Sequence, residues 1–159
     1  MKKVTFSDYE EYKRTQIEKS SRQLYDEQGK HIHWITQKEA ERVAEHFKQN
    51  SSEGRFGICH GSKIGFEVSL FRSLLGFNII GTDIGDFAEQ YPNMLRHDFH
   101  ELSAEWVGNV DFIYSNSLDH SYNPRKALLS WCECLNENGI MYIEWSSFHQ
   151  EAQGLQFQR

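Results

Sequence analysis

Phe56-Gly57-Ile58-Cys59-His60-Gly61-Ser62-Lys63-Ile64-Gly65-Phe66-Glu67-Val68-Ser69-Leu70-Phe71 changes its hydrophobic pattern halfway along. Residues 56–59 form a short apolar run with the length of a buried strand. Gly61 and Gly65 bracket a turn. From Phe66 onward the apolar residues fall at 66, 70, 71, 74 and 75, one face of a helix that Gly76 stops. A strand, a glycine turn and a helix in that order open a parallel α/β sheet.

The alternation continues outward. Phe77–Ile80 reads as a second strand running into Gly81-Thr82-Asp83. A short helix is expected around Asp86–Gln90, a third strand near Met94–His97 and a short helix over Leu102–Val107. Val110–Tyr114 is a fourth strand. Asn123-Pro124 then starts a helix, with Asn as cap and Pro at its first position. Ala127, Leu128, Trp131 and Leu135 lie on its buried face. Asn138-Gly139 turns the chain into a fifth strand, Ile140–Trp145. The expected fold class is α/β, a doubly wound, mainly parallel, Rossmann-like sheet over residues 55–146.

Residues 1–54 read as a helical N-terminal extension. Ser7-Asp8-Tyr9-Glu10 has capping-box spacing. The helix it opens runs to about Gln28-Gly29, with a thin stripe of Phe6, Tyr9, Tyr12, Ile17 and Leu24. Thr36-Gln37-Lys38-Glu39 is a second box. It opens a better amphipathic helix, in which Ala40, Val43, Ala44 and Phe47 share a face. Residues 147–159 are a polar, Gln-rich tail.

At 159 residues the chain has the length of one ordinary domain. Its formal net charge of −6 gives no footprint for duplex nucleic acid. No apolar run nears the roughly 20 residues that cross a bilayer, so no membrane is expected. The start, Met1-Lys2-Lys3-Val4-Thr5-Phe6-Ser7-Asp8, turns polar too soon for a signal peptide. Cys59, Cys132 and Cys134 form no paired framework, and Cys132-Glu133-Cys134 is too tight for a zinc half-site. A reduced, cytoplasmic protein is the expectation. His31-x-His33 has no acidic or Cys partner nearby and reads as an exposed loop pair, so no metal is expected. Trp34, Trp106, Trp131 and Trp145 read as core or edge packing.

In an open parallel sheet, ligands bind beyond the C-terminal ends of the strands, where the strand order reverses. Gly61 and Gly65 sit at the first such end and let backbone approach a ligand. Asp83 ends the second strand, 22 residues after Gly61. An acidic side chain there can accept both hydroxyls of a ribose. A dinucleotide fingerprint wants a further glycine where Phe66 stands, which disfavours a nicotinamide cofactor.

The order Cys59-His60-Gly61-Ser62-Lys63-Ile64-Gly65, Asp83-Ile84, His97-Asp98-Phe99 and Ser115-Asn116 is closed by Asn136-Glu137-Asn138-Gly139 before strand five. It resembles the class I S-adenosylmethionine-dependent methyltransferases over roughly residues 55–146. The resemblance implies S-adenosyl-L-methionine as cofactor and a small-molecule acceptor. His60, Gly61, Ser62 and Gly65 would pack against the methionine and ribose portions. Asp83 would hold the ribose hydroxyls, with Ile84 beside the adenine. Asp98 would accept from the adenine amino group and Phe99 would offer its backbone N–H. Ser115 and Asn116 would lie near the methyl group.

There are departures from the family pattern. Cys59 stands where the family has an acid, and Lys63 replaces its middle glycine. A lysine beside a sulfonium is unfavourable unless it faces solvent or an anionic acceptor. Glu67 is expected to supply the missing charge near the methionine amino group. His120, shortly after strand four, is the expected general base, with Asp119 to orient it. N-terminal helices in this family often cover the site. Residues 146–159 are too few for the helix and two strands with which the family's sheet continues. Ile140–Trp145 would then be a bare edge, to be covered by a second copy in a homodimer or by the N-terminal helices. The competing reading is a methyltransferase-like binding module without catalysis.

Overall fold

The structure is a computed structural model and describes residues 8–22, 33–51 and 54–145. Its elements are α1 (Tyr9–Arg22), α2 (Gln37–Asn50), β1 (Phe56–His60), α3 (Phe66–Leu75), β2 (Asn78–Asp83), β3 (Met94–Arg96), β4 (Val110–Ser115), α4 (Pro124–Cys134) and β5 (Leu135–Ile143). The strands form one sheet in the order β3-β2-β1-β4-β5, every pair parallel. The order reverses between β1 and β4, which makes the sheet doubly wound.

Alternation along the strands divides the core into two layers. Cys59, Phe112 and Tyr114 face Val68 and Phe71 of α3 and Ala40 and Phe47 of α2. Ile58, Val110 and Ile113 face Ala127, Trp131 and Cys134 of α4. Burying each of the large side chains removes enough apolar surface to stabilise the fold by about 1.5–3 kcal/mol. α2 is held at its start by the expected box: Thr36 Oγ1 accepts from Glu39 N at 3.3 Å and Glu39 Oε2 accepts from Thr36 N at 2.8 Å. Such caps contribute about 1 kcal/mol. At the start of α1, Asp8 Oδ1 accepts from Glu11 N at 2.9 Å. Ser7, Phe6 and residues 23–32, including Leu24 and His31, lie outside the described residues.

Several local expectations change. Leu102–Val107 is a run of turns rather than a helix. Trp106 N donates to Ser103 O and Asn109 N to Trp106 O, each 3.0 Å, while Leu102 and Val107 remain exposed with nothing to bury. The helix expected at Asp86–Gln90 shrinks to one 3-10 turn, Ala88–Gln90. β5 starts at Leu135, not Ile140. Leu135 pairs with Val110 and Ile140 with Phe112, and the intervening residues bulge out. Asn136 pins the bulge: its Oδ1 accepts from Asn138 N at 2.9 Å and its Nδ2 donates to Asp111 Oδ1 at 2.7 Å. Trp106 and Trp131 are core, whereas Trp34 and Trp145 are exposed. Among the described residues β5 pairs on one side only.

Candidate functional site

The bend after β1 is built from backbone. Gly61 N and Ser62 N both donate to Thr82 O, at 2.8 and 3.0 Å, tying the bend to β2. Gly61 has φ +73°, and a Cβ there would lie 2.5 Å from Ser117 Cβ, so only glycine fits. Lys63 also has positive φ, 48°. It stands in a glycine-like conformation that costs a side-chain-bearing residue about 1–2 kcal/mol. Its N–H donates to Asp83 Oδ2 at 3.0 Å and so fixes the bend against the end of β2.

Asp83 is buried at the tip of β2. Its Oδ1 accepts from Gly85 N at 2.8 Å and from Ser20 Oγ of α1 at 3.3 Å. Burial raises its pKa, and the bonds from Gly85 and Lys63 offset part of that rise. An ionised carboxylate has about four acceptor positions. Two backbone donors hold this one in place and about two positions remain, one of them taken by Ser20. His97 N donates to Asp83 O at 2.9 Å, which brings the loop after β3 alongside. In that loop Asp98 Oδ1 accepts from His100 N at 2.9 Å and pairs with His100 Nδ1 at 2.6 Å. Tyr9 of α1 donates its hydroxyl to Asp98 Oδ2. Burial pushes the Asp98 carboxyl up, but the bonds from His100 and Tyr9 outweigh it and hold the pKa at about 2. α4 anchors the loop, since Trp131 Nε1 donates to Phe99 O at 2.9 Å and Ser130 Oγ to His100 O at 3.0 Å.

α1 lies across this end of the sheet. Tyr12, Gln16, Lys19 and Ser20 enclose a crevice together with Gly61, Lys63, Asp83, Ile84, Asp98, Phe99, Ser117 and His120. Tyr12 donates its hydroxyl to His120 O at 2.8 Å. Lys19 Nζ lies 3.2 Å from His120 Nδ1, and His120 Nε2 lies 3.9 Å from Asp119 Oδ2. Burial lowers the pKa of Lys19 and of Lys63. Lys63 Nζ sits 5.7 Å from the centre of the Trp34 ring.

Of the residues singled out in the sequence, Gly61, Asp83, Ile84, Asp98, Phe99 and His120 meet at the crevice. The others stand behind it. His60 stacks on Trp131, 4.8 Å between ring centres, and its Nδ1 pairs with Thr82 Oγ1 at 2.9 Å. Ser62 Oγ donates to Cys59 O at 3.1 Å and Ser115 Oγ to His60 O at 3.0 Å. Gly65, with φ +78°, caps α3 against Met94. Asn116 Nδ2 donates to Glu67 Oε1 at 3.2 Å. Burial lifts the Glu67 carboxyl to about 7, against the bonds from its own backbone and Asn116. Asp119 is buried and its Oδ1 has no partner among the described residues. His33 is exposed and its ring stacks on Phe66 at 3.6 Å. The sequence pattern gave no sign of Lys19 and Ser20 at this end of the sheet and assigned no role in the site to Ser117 or His100. The signal available was polar: α1 carries hydroxyls and an ammonium at positions 9, 12, 19 and 20 that its thin apolar stripe obscures.

No family model matches the chain, and no curated protein matches it. Solved structures do. The 1,6-didemethyltoxoflavin-N1-methyltransferase of Burkholderia thailandensis was solved with 1,6-didemethyltoxoflavin and S-adenosylhomocysteine bound. It matches with a TM-score of 0.68 at 13% identity, over 92% of this chain and 69% of its own. DesVI of Streptomyces venezuelae matches with a TM-score of 0.58 at 16% identity, over 69% of this chain and 50% of its own. The plantazolicin methyltransferase BpumL, in complex with S-adenosylhomocysteine, matches with a TM-score of 0.57 at 17% identity, over 65% of this chain and 44% of its own. The chain thus spans about half the length of DesVI and BpumL. The likeness establishes the Rossmann-like fold that the sequence resemblance implied.

Proposed function

We propose that this chain binds S-adenosyl-L-methionine at the crevice and transfers its methyl group to a small acceptor molecule. The observation that carries the reading is the pairing of Gly61 with Asp83 at the switch point of the sheet. Gly61, which carries no side chain, stands in the bend beside a carboxylate that two backbone N–H groups hold still. The residues fit the group: with Ser20 turned away, Asp83 offers about two acceptor positions, the number a ribose presents as donors. Asp98 would accept from the adenine amino group, with Ile84 and Phe99 as apolar walls. Glu67 would answer the methionine amino group from behind the bend. His60, Ser62, Gly65, Ser115 and Asn116 then act as supports for that wall.

When bound, the cofactor supplies a methyl group on a leaving group already activated by positive charge. The protein's contribution is alignment and proton handling. His120 would take the acceptor's proton at a ring nitrogen, oriented by Asp119 and by the Tyr12 bond to its carbonyl. α1 would cover the reacting atoms and exclude water, which strengthens the polar contacts beneath it.

Melting curves of the chain with S-adenosylhomocysteine and with NAD test the reading. The nucleoside should raise Tm by several degrees at saturating concentration and NAD should leave it unchanged, since only a ligand that binds the folded state stabilises it. No shift with S-adenosylhomocysteine contradicts it. The substitution His120→Ala should keep that shift and reduce methyl transfer about a hundredfold, the usual contribution of a general base.

A further inference from the structure

Lys19 and Lys63 come from elements far apart in sequence and line the same crevice. Both are partly buried, and among the described residues neither ammonium has a carboxylate within ion-pairing distance. Asp119 acts on Lys19, and Asp83 and Glu67 on Lys63, only from further off. Lys19 rests instead against a histidine nitrogen and Lys63 against the Trp34 ring. Taking an ammonium out of water without a counter-charge is costly. Two of them around one crevice leave room for an anion to satisfy both. A sulfonium cannot be that partner, since it carries the same sign. Tyr12, which the cofactor reading leaves unassigned, adds an aromatic ring to the same crevice.

We propose that Lys19 and Lys63 form a two-ammonium corner that holds the anionic group, a carboxylate or phosphate, of an acceptor with an apolar body. This rests on the methyl-transfer reading above, and it accounts for a lysine standing where the resembling family has a glycine.

Calorimetric titration of the full chain, with and without saturating S-adenosylhomocysteine, tests the proposal with benzoate and its uncharged counterpart benzamide as probes. Benzoate should bind at least about tenfold tighter than benzamide, in keeping with charge-assisted hydrogen bonds. Lys19→Gln and Lys63→Gln should each remove that preference without changing benzamide binding, and Lys19→Arg should retain it. Circular dichroism confirms that each variant is folded, and Lys19→Arg carries the test if a glutamine variant is not. Equal binding of the two probes overturns the proposal. So does a benzoate preference that survives both glutamine substitutions. The nucleoside's own carboxylate is the other source of the same charge. If the glutamine variants weaken S-adenosylhomocysteine but not 5′-methylthioadenosine, and benzoate gains nothing over benzamide, the acceptor assignment falls. Failure of S-adenosylhomocysteine to bind while the benzoate preference persists defeats the methyl-transfer reading alone.

Discussion

Two aspartates stand at neighbouring strand tips and answer burial in opposite ways. Asp83, after β2, is held by backbone N–H groups of its own neighbourhood, Lys63 and Gly85. Desolvation wins and its pKa rises. Asp98, after β3, is held by His100, through both its backbone N–H and its ring, and by the Tyr9 hydroxyl of α1. There the hydrogen bonds win and the pKa falls to about 2. A carboxylate fixed by local backbone keeps acceptor capacity for a ligand. One clasped by side chains spends that capacity on the fold. The difference fits the binding role proposed for Asp83, while Asp98 ties α1 and the β3 loop together.

Glu67 extends the comparison to a carboxyl with weaker support than either, and it gives the largest effect. Its folded pKa is raised from 4.5 to about 7. Burial of the neutral acid therefore contributes stability below about pH 4.5 that is lost as pH rises through 7, up to about 3 kcal/mol. Urea unfolding at pH 5 and pH 8 should show this loss in the wild type and not in Glu67→Gln. Parallel losses in the two proteins would show that Glu67 is charged and compensated. Asp98 carries the opposite sign. Its folded pKa is depressed from 3.8 to about 2, so its stabilisation is present above pH 3.8 and lost as pH falls through 2. Asp98→Asn should cost about 2 kcal/mol at pH 7, and the gap should close near pH 2. A gap that does not change with pH contradicts the clasp.

The smaller effects concern α1. Tyr9→Phe removes the bond to Asp98 and should cost about 1 kcal/mol, raise the Asp98 pKa in an NMR titration and speed proteolysis within residues 9–22. Ser20→Ala should cost less, since its bond to Asp83 is long at 3.3 Å. Both should leave S-adenosylhomocysteine affinity unchanged or raise it up to about fivefold, by returning acceptor positions to the two carboxylates. A loss of affinity in either would mean that α1 grips the ligand directly.

The Asp83 half of the site was legible because its frame is local; only Ser20 of α1 comes from far away. A strand, a glycine bend and an acid at the end of the next strand lie within residues 56–83, and parallel pairing puts His60 opposite Thr82. The Asp98 half was only half legible. The aspartate could be placed after β3, but its partners were hidden: Tyr9 is 89 residues away, and His100 gave no pattern beyond its position. α1 was legible as a helix from its own residues, and as a cover only through the family resemblance. It docks through hydroxyls and an ammonium rather than through an apolar stripe, and periodicity reports only the latter. The bulge in β5 escaped for a similar reason. Asn138-Gly139 reads as a turn between elements, yet Leu135 already pairs with Val110 before it.

The account stands on Asp83 as the ribose acceptor beside the Gly61 bend, and calorimetric titration of S-adenosylhomocysteine into the wild type and into Asp83→Asn tests this most directly. It predicts saturable one-to-one binding that weakens about a hundredfold in the variant, the scale set by hydrogen bonds to a charged group. No binding to the wild type, or equal affinity in the two proteins, would contradict it.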